Sequence, residues 1–154
     1  MVTLKVPAIV ESLEPVNGLV HRVAAEAGLP SAEAYQLRLA TEELFINIVK
    51  HGYGPDRPDG EVVIEGGVSE ESVWIRLIDT APPFDPFQAP NPTDLDRPLQ
   101  DREPGALGLY LTRHAVDAAS HKYVGGANRT TVVKWRARRN GDEKIDHGRN
   151  DVDR

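Results

Sequence analysis

Val2, Leu4 and Val6 alternate with polar neighbours, a period of two that predicts a strand with one face on a core. From Ser12 to Ala27 the period lengthens. Leu13, Val16, Val20, Val23/Ala24 and Ala27 fall at helical spacing, with Ser12 placed to cap the start and Gly28 to stop the end. A second helix is expected from Ser31 as its cap, with Leu37, Ala40/Thr41, Leu44 and Ile48 as its apolar stripe and an end near His51-Gly52. Alternation returns over Glu61–Val68 and Ser72–Asp79, two strands joined by the acidic turn Ser69-Glu70-Glu71. From Ala81 to Pro104 the pattern collapses. Seven of the chain's twelve prolines fall there, which removes backbone donors and predicts a long loop of the functional-lid kind. Helical spacing resumes over Leu107–Ala119. Lys122–Val124 and Thr130–Trp135 then read as a hairpin closing around Gly125-Gly126. The stretch 138–154 is polar and unpatterned and is expected to be a disordered tail, leaving 1–137 as one domain. The order β-α-α-β-β-lid-α-β-β pairs strands instead of alternating them with helices. It predicts an α+β fold, helices layered on one face of a sheet, and excludes a Rossmann pattern.

Composition narrows the chemistry. The 154 residues are 40% apolar and 27% charged, values of an ordinary globular domain with room for a single core. A formal net charge of −6 argues against nucleic acid as a direct partner. The absence of cysteine excludes disulfides and thiolate chemistry. The amino-terminal residues lack a signal-peptide pattern, and no apolar run approaches the roughly 20 residues that cross a bilayer. A cytoplasmic location without membrane attachment is the expectation.

Three segments could carry chemistry. Glu43 and Asn47 lie one turn apart on the second helix, with Lys50 or His51 a turn further on, so they share a face. A carboxylate beside an amide oxygen suits a Mg²⁺ ion that keeps several waters and borrows phosphate oxygens; a solvated helix face would look the same. Asp79 closes an apolar strand and opens the loop Thr80-Ala81-Pro82-Pro83-Phe84-Asp85-Pro86, well placed to accept a hydrogen bond from a base's amino group or simply to form a turn. Phe84 there reads as a buried anchor for the loop in preference to a stacking platform. Gly105-Ala106-Leu107-Gly108-Leu109 leads a glycine pair into a helix, whose terminal N–H groups and dipole favour phosphate. Each segment alone is weak evidence. Their combination in this order is specific.

Taken together, Glu43-x-x-x-Asn47-x-x-x-His51-Gly52-Tyr53, the strand-end Asp79, Pro83-Phe84-Asp85-Pro86, Gly105-x-x-Gly108 and the later Asp117, Tyr123 and Asn128-Arg129 resemble the GHKL ATPase superfamily of gyrase, Hsp90, histidine kinases and MutL. Within it the chain is most similar to bacterial anti-sigma-factor serine/threonine kinases of the partner-switching type, over nearly all residues up to Trp135. The resemblance implies a Bergerat fold: a two-layer sandwich, its mixed and mostly antiparallel sheet covered by helices on one face, with an ATP lid. It implies ATP and Mg²⁺ as cofactors, Asn47 as the metal ligand and Glu43 as the general base toward a substrate hydroxyl. Asp79 would hold the adenine amino group, and Gly105 and Gly108 the phosphates. Lys50, His51, Ala81, Phe84, Arg102, Ala106, Leu107, Leu109 and Thr131 complete the nucleotide-binding set. The implied partners are an anti-anti-sigma (STAS-domain) protein as substrate, a sigma factor as captive, and a second copy in a homodimer.

Two departures stand out. Ala81 occupies the glycine of the usual Asp-x-Gly, and Ala106 replaces a glycine of the second glycine box. One unrelaxed methyl in a tight site costs about 1–3 kcal/mol, so the alternative reading is a nucleotide-responsive partner-binding module with little or no kinase activity. His21, His114, His121 and His147 show no ligand-like spacing and read as structural or surface residues, while Trp74 and Trp135 read as packing.

Overall fold

A computed structural model describes residues 1–88 and 106–137. Five strands form one sheet: β1 (Val2–Pro7), β2 (Glu61–Val68), β3 (Ser72–Asp79), β4 (Ala118–Val124) and β5 (Ala127–Trp135). Their order is β1-β2-β3-β5-β4, and every pairing is antiparallel, where the resemblance implied a mixed sheet. Three α-helices accompany it: α1 (Leu13–Ala27), α2 (Ser31–Asn47) and α3 (Ala106–Ala115). The expected α+β class is observed.

The two periods build the core between them. Val62 and Ile64 of β2, Val73, Ile75 and Leu77 of β3 and Val132 of β5 project from one face of the sheet. Onto it pack Val16, Val20 and Val23 of α1 and Leu37, Leu44 and Phe45 of α2. Helix α3 lies against α2. On the opposite face Arg76 spans the sheet, its Nε donating to Thr131 Oγ1 at 3.0 Å and its guanidinium lying 4.9 Å from the Trp74 ring. Gly125 and Gly126, with φ of 61° and 78°, supply the two left-handed positions that a two-residue hairpin turn needs between β4 and β5.

Several boundaries differ from expectation. Ser12 does not cap α1; its hydroxyl donates to Pro7 O at 2.8 Å, bracing a 3₁₀ turn (Val10–Ser12) that precedes the helix. Ser31 is the first helical residue instead of the cap, a place taken by Pro30. The last turn before Tyr53 widens into π-type hydrogen bonding over Ile48–Gly52, a departure often found at functional sites. The third helix stops at Ala115, not Ala119. Asp117 explains why: its N–H donates to Val133 O, and its carboxylate accepts Trp135 N–H at 2.6 Å, pinning the chain to β5 so that Ala118 opens a strand. The loop segment 89–105 and the expected tail, 138–154, lie outside the described residues.

Phe45 is fully buried where α2 meets the sheet. Truncation by Phe45→Ala is expected to cost about 3–5 kcal/mol, read as a lowered midpoint in urea unfolding. A loss under about 1 kcal/mol would contradict this account of the core.

Candidate nucleotide-binding site

The site is assembled at one end of the sheet, where α2, the end of β3, the start of β5 and the first turns of α3 meet. Two adjoining cavities occupy it. The first, about 170 Å³, is lined on one side by Leu44, Asn47, Ile48, His51 and Gly52, and on the other by Asp79, Ala81–Phe84, Pro86, Asn128 and Thr130. The second, about 290 Å³, is lined by Glu43, Ile46, Asn47, Lys50, His51, Gly108 and Leu109. Asn47 and His51 border both, so the two form one groove with an apolar inner end and a charged outer end.

Asp79 marks the inner end. Alternation along β3 turns it to the core face with Val73, Ile75 and Leu77, and it is buried. Both of its described hydrogen bonds fall on Oδ1, which accepts Asn128 Nδ2 at 3.0 Å and Ala81 N at 3.0 Å. Burial pushes its pKa above the ordinary carboxylate value. The bonds from Asn128 and Ala81 and the positive fields of His121 and Arg57 pull the other way without overcoming that cost. Ala81 is 2% exposed; a Cβ on Gly52 would sit 3.5 Å from its methyl. The following loop is clamped from outside. Thr80 N donates to the Tyr53 hydroxyl (2.9 Å), that hydroxyl donates to Glu61 O (2.6 Å), and Arg57 donates to Thr80 O and Oγ1 while covering the Tyr53 ring.

Glu43 marks the outer end. Its side chain is exposed and, among the described residues, makes no hydrogen bond or ion pair. It lies directly against α3: a Cβ on Gly108 would overlap the Glu43 carboxylate. The missing side chain at position 108 leaves the Glu43 carboxylate room to rest against the first turns of α3. The far end of the same helix pair is tied by Lys134, buried on the core face of β5, whose Nζ donates to Gln36 Oε1 (2.8 Å) and to Ala115 O (3.2 Å) beside Asp117 (3.7 Å).

The structure brings together Glu43, Asn47, Lys50, His51, Asp79, Ala81, Phe84, Gly108 and Leu109. Ala106 and Leu107 lie in the first turn of α3; Arg102 and Gly105 fall outside the described residues. Two expectations are corrected. Thr131 is not in the site: it pairs with Arg76 and faces the opposite side of the sheet, and its neighbour Thr130 lines the groove. Phe84 is no buried anchor, being 50% exposed at the groove's rim; the buried Pro86 and half-buried Phe87 hold the loop instead, in a turn packed on α3 and β4. Asn128 and His121 were missed as site residues. Counting back in twos from Val132 would have put Thr130 and Asn128 on the inner face; for His121 the sequence offers no comparable signal.

Residues 6–134 match the model of the histidine kinase-like ATPase domain. The chain belongs to that family. It is 32% identical over 103 residues to the serine/threonine-protein kinase BtrW of Bordetella bronchiseptica, covering 67% of this chain and 71% of the relative. It is 28% identical over 151 residues to the serine-protein kinase RsbW of Bacillus pumilus, covering 96% and 90%. Among solved structures, the RsbU and RsbW domains of Rv1364c from Mycobacterium tuberculosis share the fold, with a TM-score of 0.61 at 18% identity over 90% of this chain and about a third (34%) of that longer one. These matches place the chain with the anti-sigma kinases of the GHKL ATPases and imply ATP binding. Among the described residues, no helix of this ATPase domain is long and apolar enough to cross a membrane.

The raised pKa of Asp79 fixes the sign of a stability effect. The native state holds the proton to higher pH than the unfolded chain, so stability falls as pH rises from about 3.9, the ordinary Asp value, through the raised native value, and is flat above it. Denaturant unfolding across that window is expected to show this decline as a difference between wild type and Asp79→Asn. Parallel profiles for the two proteins would count against it.

Proposed function

We propose that this ATPase domain, residues 1–137, is a cytoplasmic Mg-ATP-dependent protein serine/threonine kinase. Its substrate is a STAS-type anti-anti-sigma protein, it sequesters a sigma factor when not so engaged, and it acts as a homodimer. The observation that carries the reading is the contact of the Glu43 carboxylate with the α3 backbone at Gly108, beside Asn47, Lys50 and His51 and continuous with the Asp79 cavity. A groove with a buried amino-group acceptor at one end and the Lys50 ammonium and His51 imidazole at the other fits a purine nucleoside triphosphate.

Each residue's part follows from its surroundings. The Asp79 carboxylate, with Oδ1 already engaged, offers Oδ2 to the exocyclic amino group of adenine. Leu44, Ile48 and the prolines of the following loop supply apolar walls for the base, with Phe84 at the rim. Lys50 and His51 sit where phosphates would lie, and the N–H groups of α3's first turn can point at them. Among the described residues no three His, Asp or Glu side chains gather to hold a metal by themselves. Asn47 would be the residue that holds a Mg²⁺ ion, and when bound the ion would neutralise charge on the transferring group. Glu43, exposed and without a competing partner among the described residues, accepts the proton of the attacking serine or threonine hydroxyl. The hydroxyl oxygen bonds to the γ-phosphorus, the bond to the bridging oxygen breaks, and ADP leaves with that electron pair.

Calorimetric titration of ATP with and without Mg²⁺ is the first test. Wild type is expected to bind in a Mg²⁺-dependent manner, Asn47→Ala to lose that dependence, and Glu43→Gln to bind normally yet lose transfer to an added antagonist by at least about 100-fold. Gly108→Ala, which pushes the Glu43 side chain away, is expected to impair transfer more than binding. Equal loss of binding and transfer in Glu43→Gln would remove Glu43 from the general-base role. An absence of ATP binding in the wild type would leave the partner-binding module as the surviving description.

A further inference from the structure

Asn128 pairs with Asp79 across β3 and β5 and is 4% exposed, yet its side chain engages five groups. Nδ2 donates to Asp79 Oδ1 (3.0 Å), Ala81 O (3.1 Å) and Pro82 O (3.1 Å), two hydrogens shared among three acceptors. Oδ1 accepts the backbone N–H of Phe84 (3.0 Å) and His121 Nε2 (2.8 Å). The direction of the amide follows from its neighbours. Phe84 N–H can only donate and the two carbonyls can only accept, so the NH₂ end must face Asp79 and the loop carbonyls. His121 Nε2, facing an oxygen, must then carry a hydrogen, and Asp85 Oδ2 lies 3.9 Å from the other ring nitrogen. One side chain thus fixes both the carboxylate and the loop that follows it.

We infer that Asn128 is the positioning residue that sets base specificity in this site, by occupying Asp79 Oδ1 with an N–H donor and leaving Oδ2 as an ionised acceptor for an exocyclic amino group. The inference rests on the reading of Asp79 as the adenine-amino acceptor. A carboxylate buried this deeply favours its neutral form, and a neutral Asp79 could present a hydroxyl, a donor, to the base. A donor from Asn128 on Oδ1 favours the ionised form, which can only accept. It therefore selects an amino-bearing base over one carrying a carbonyl oxygen at the same position. Asn is required where Asp would fit sterically. A carboxylate at 128 would face another carboxylate and two carbonyl oxygens, and the pair would retain a proton between them.

Titration of ATP and of inosine triphosphate, which carries a carbonyl oxygen in place of the amino group, separates this role from a merely structural one. Wild type is expected to prefer ATP. Asn128→Asp is expected to lower the ATP-to-ITP affinity ratio by about tenfold or more, with ITP affinity held or improved. Asn128→Ser, smaller and uncharged, is expected to lower the ratio by a smaller factor. A variant that weakens both nucleotides in proportion, or leaves the ratio unchanged, would overturn the inference while leaving Asp79 in its role. A wild type that does not distinguish ATP from ITP, or an Asp79→Asn protein with an unaltered ratio, would remove the Asp79 reading and this inference with it. If circular dichroism finds Asn128→Asp unfolded, Asn128→Ser carries the same test. Two unfolded variants would make Asn128 a structural residue only and overturn the proposal.

Discussion

The register of β3 against β5 decides where this protein can do chemistry. Asp79 faces Asn128 and Leu77 faces Thr130 across that ladder, so one end of the core face is polar, with Ile75 and Val132 lying between it and Val73 and Lys134 at the other end. Because side chains alternate with a period of two, a slip of one residue would exchange Thr130 for Thr131 and point Asn128 away from Asp79. The apolar residues Val73, Ile75, Leu77 and Val132 hold the register by being buried on the same face. Core packing and site geometry are therefore one constraint. The inward alternation that excludes water from the sheet also carries Asp79 into the groove.

A second constraint sets the groove's width. Glu43 and Gly108 touch at one end of the α2–α3 pair, and Lys134 links Gln36 with Ala115 at the other. Burying an ammonium group is costly unless its hydrogens are used. Lys134 uses them on a side-chain amide and on the last carbonyl of α3, with Asp117 nearby, and in doing so places a cation at the helix's C-terminal end, where the dipole favours it. The glycine leaves room for the Glu43 carboxylate at one end, and the lysine ties the two helices at the other. Neither residue needs to touch a ligand to shape the cavity between them.

How much of this could be read from the sequence depended on whether a feature was local. β2 and β3 were delimited to the residue, because alternation and the Ser69–Glu71 turn bound them from both sides. Glu43, Asn47 and Asp79 were legible as candidates from spacing on one helix and position on one strand. The end of α3 was not, since Ala118 and Ala119 suit a helix as well as a strand, and what ends the helix is a tertiary bond from Asp117 to β5. Phe84 was misjudged for a related reason. Two aromatics three residues apart competed to anchor the loop, and packing against α3 and β4 favoured Phe87. The inner face of Asn128 was legible by alternation from Val132, but its bond to Asp79, 49 residues away, and the bond between His121 and Asn128 are tertiary contacts that leave no pattern in a single sequence.

The two carboxylates of the groove illustrate how one fold gives similar groups environments suited to the different tasks proposed for them. Asp79 is buried, is engaged through Oδ1 and has a raised pKa; its position is over-determined by Asn128 and the clamped loop. Glu43 is exposed and, among the described residues, has no hydrogen-bond or ionic partner. A group that must recognise a fixed donor gains from rigidity, because ordering it during folding removes that cost from binding. A group that must take up a proton and release it gains from a free, solvated carboxylate that is restrained on one side only, here by the backbone at Gly108. The contrast runs with position: the proposed recognition carboxylate sits at a strand end inside the core, and the proposed proton acceptor sits on a helix surface beside the charged end of the groove. Exchanging the two environments would give a mobile acceptor for the base and a buried, hard-to-ionise base for the hydroxyl, each unsuited to its task.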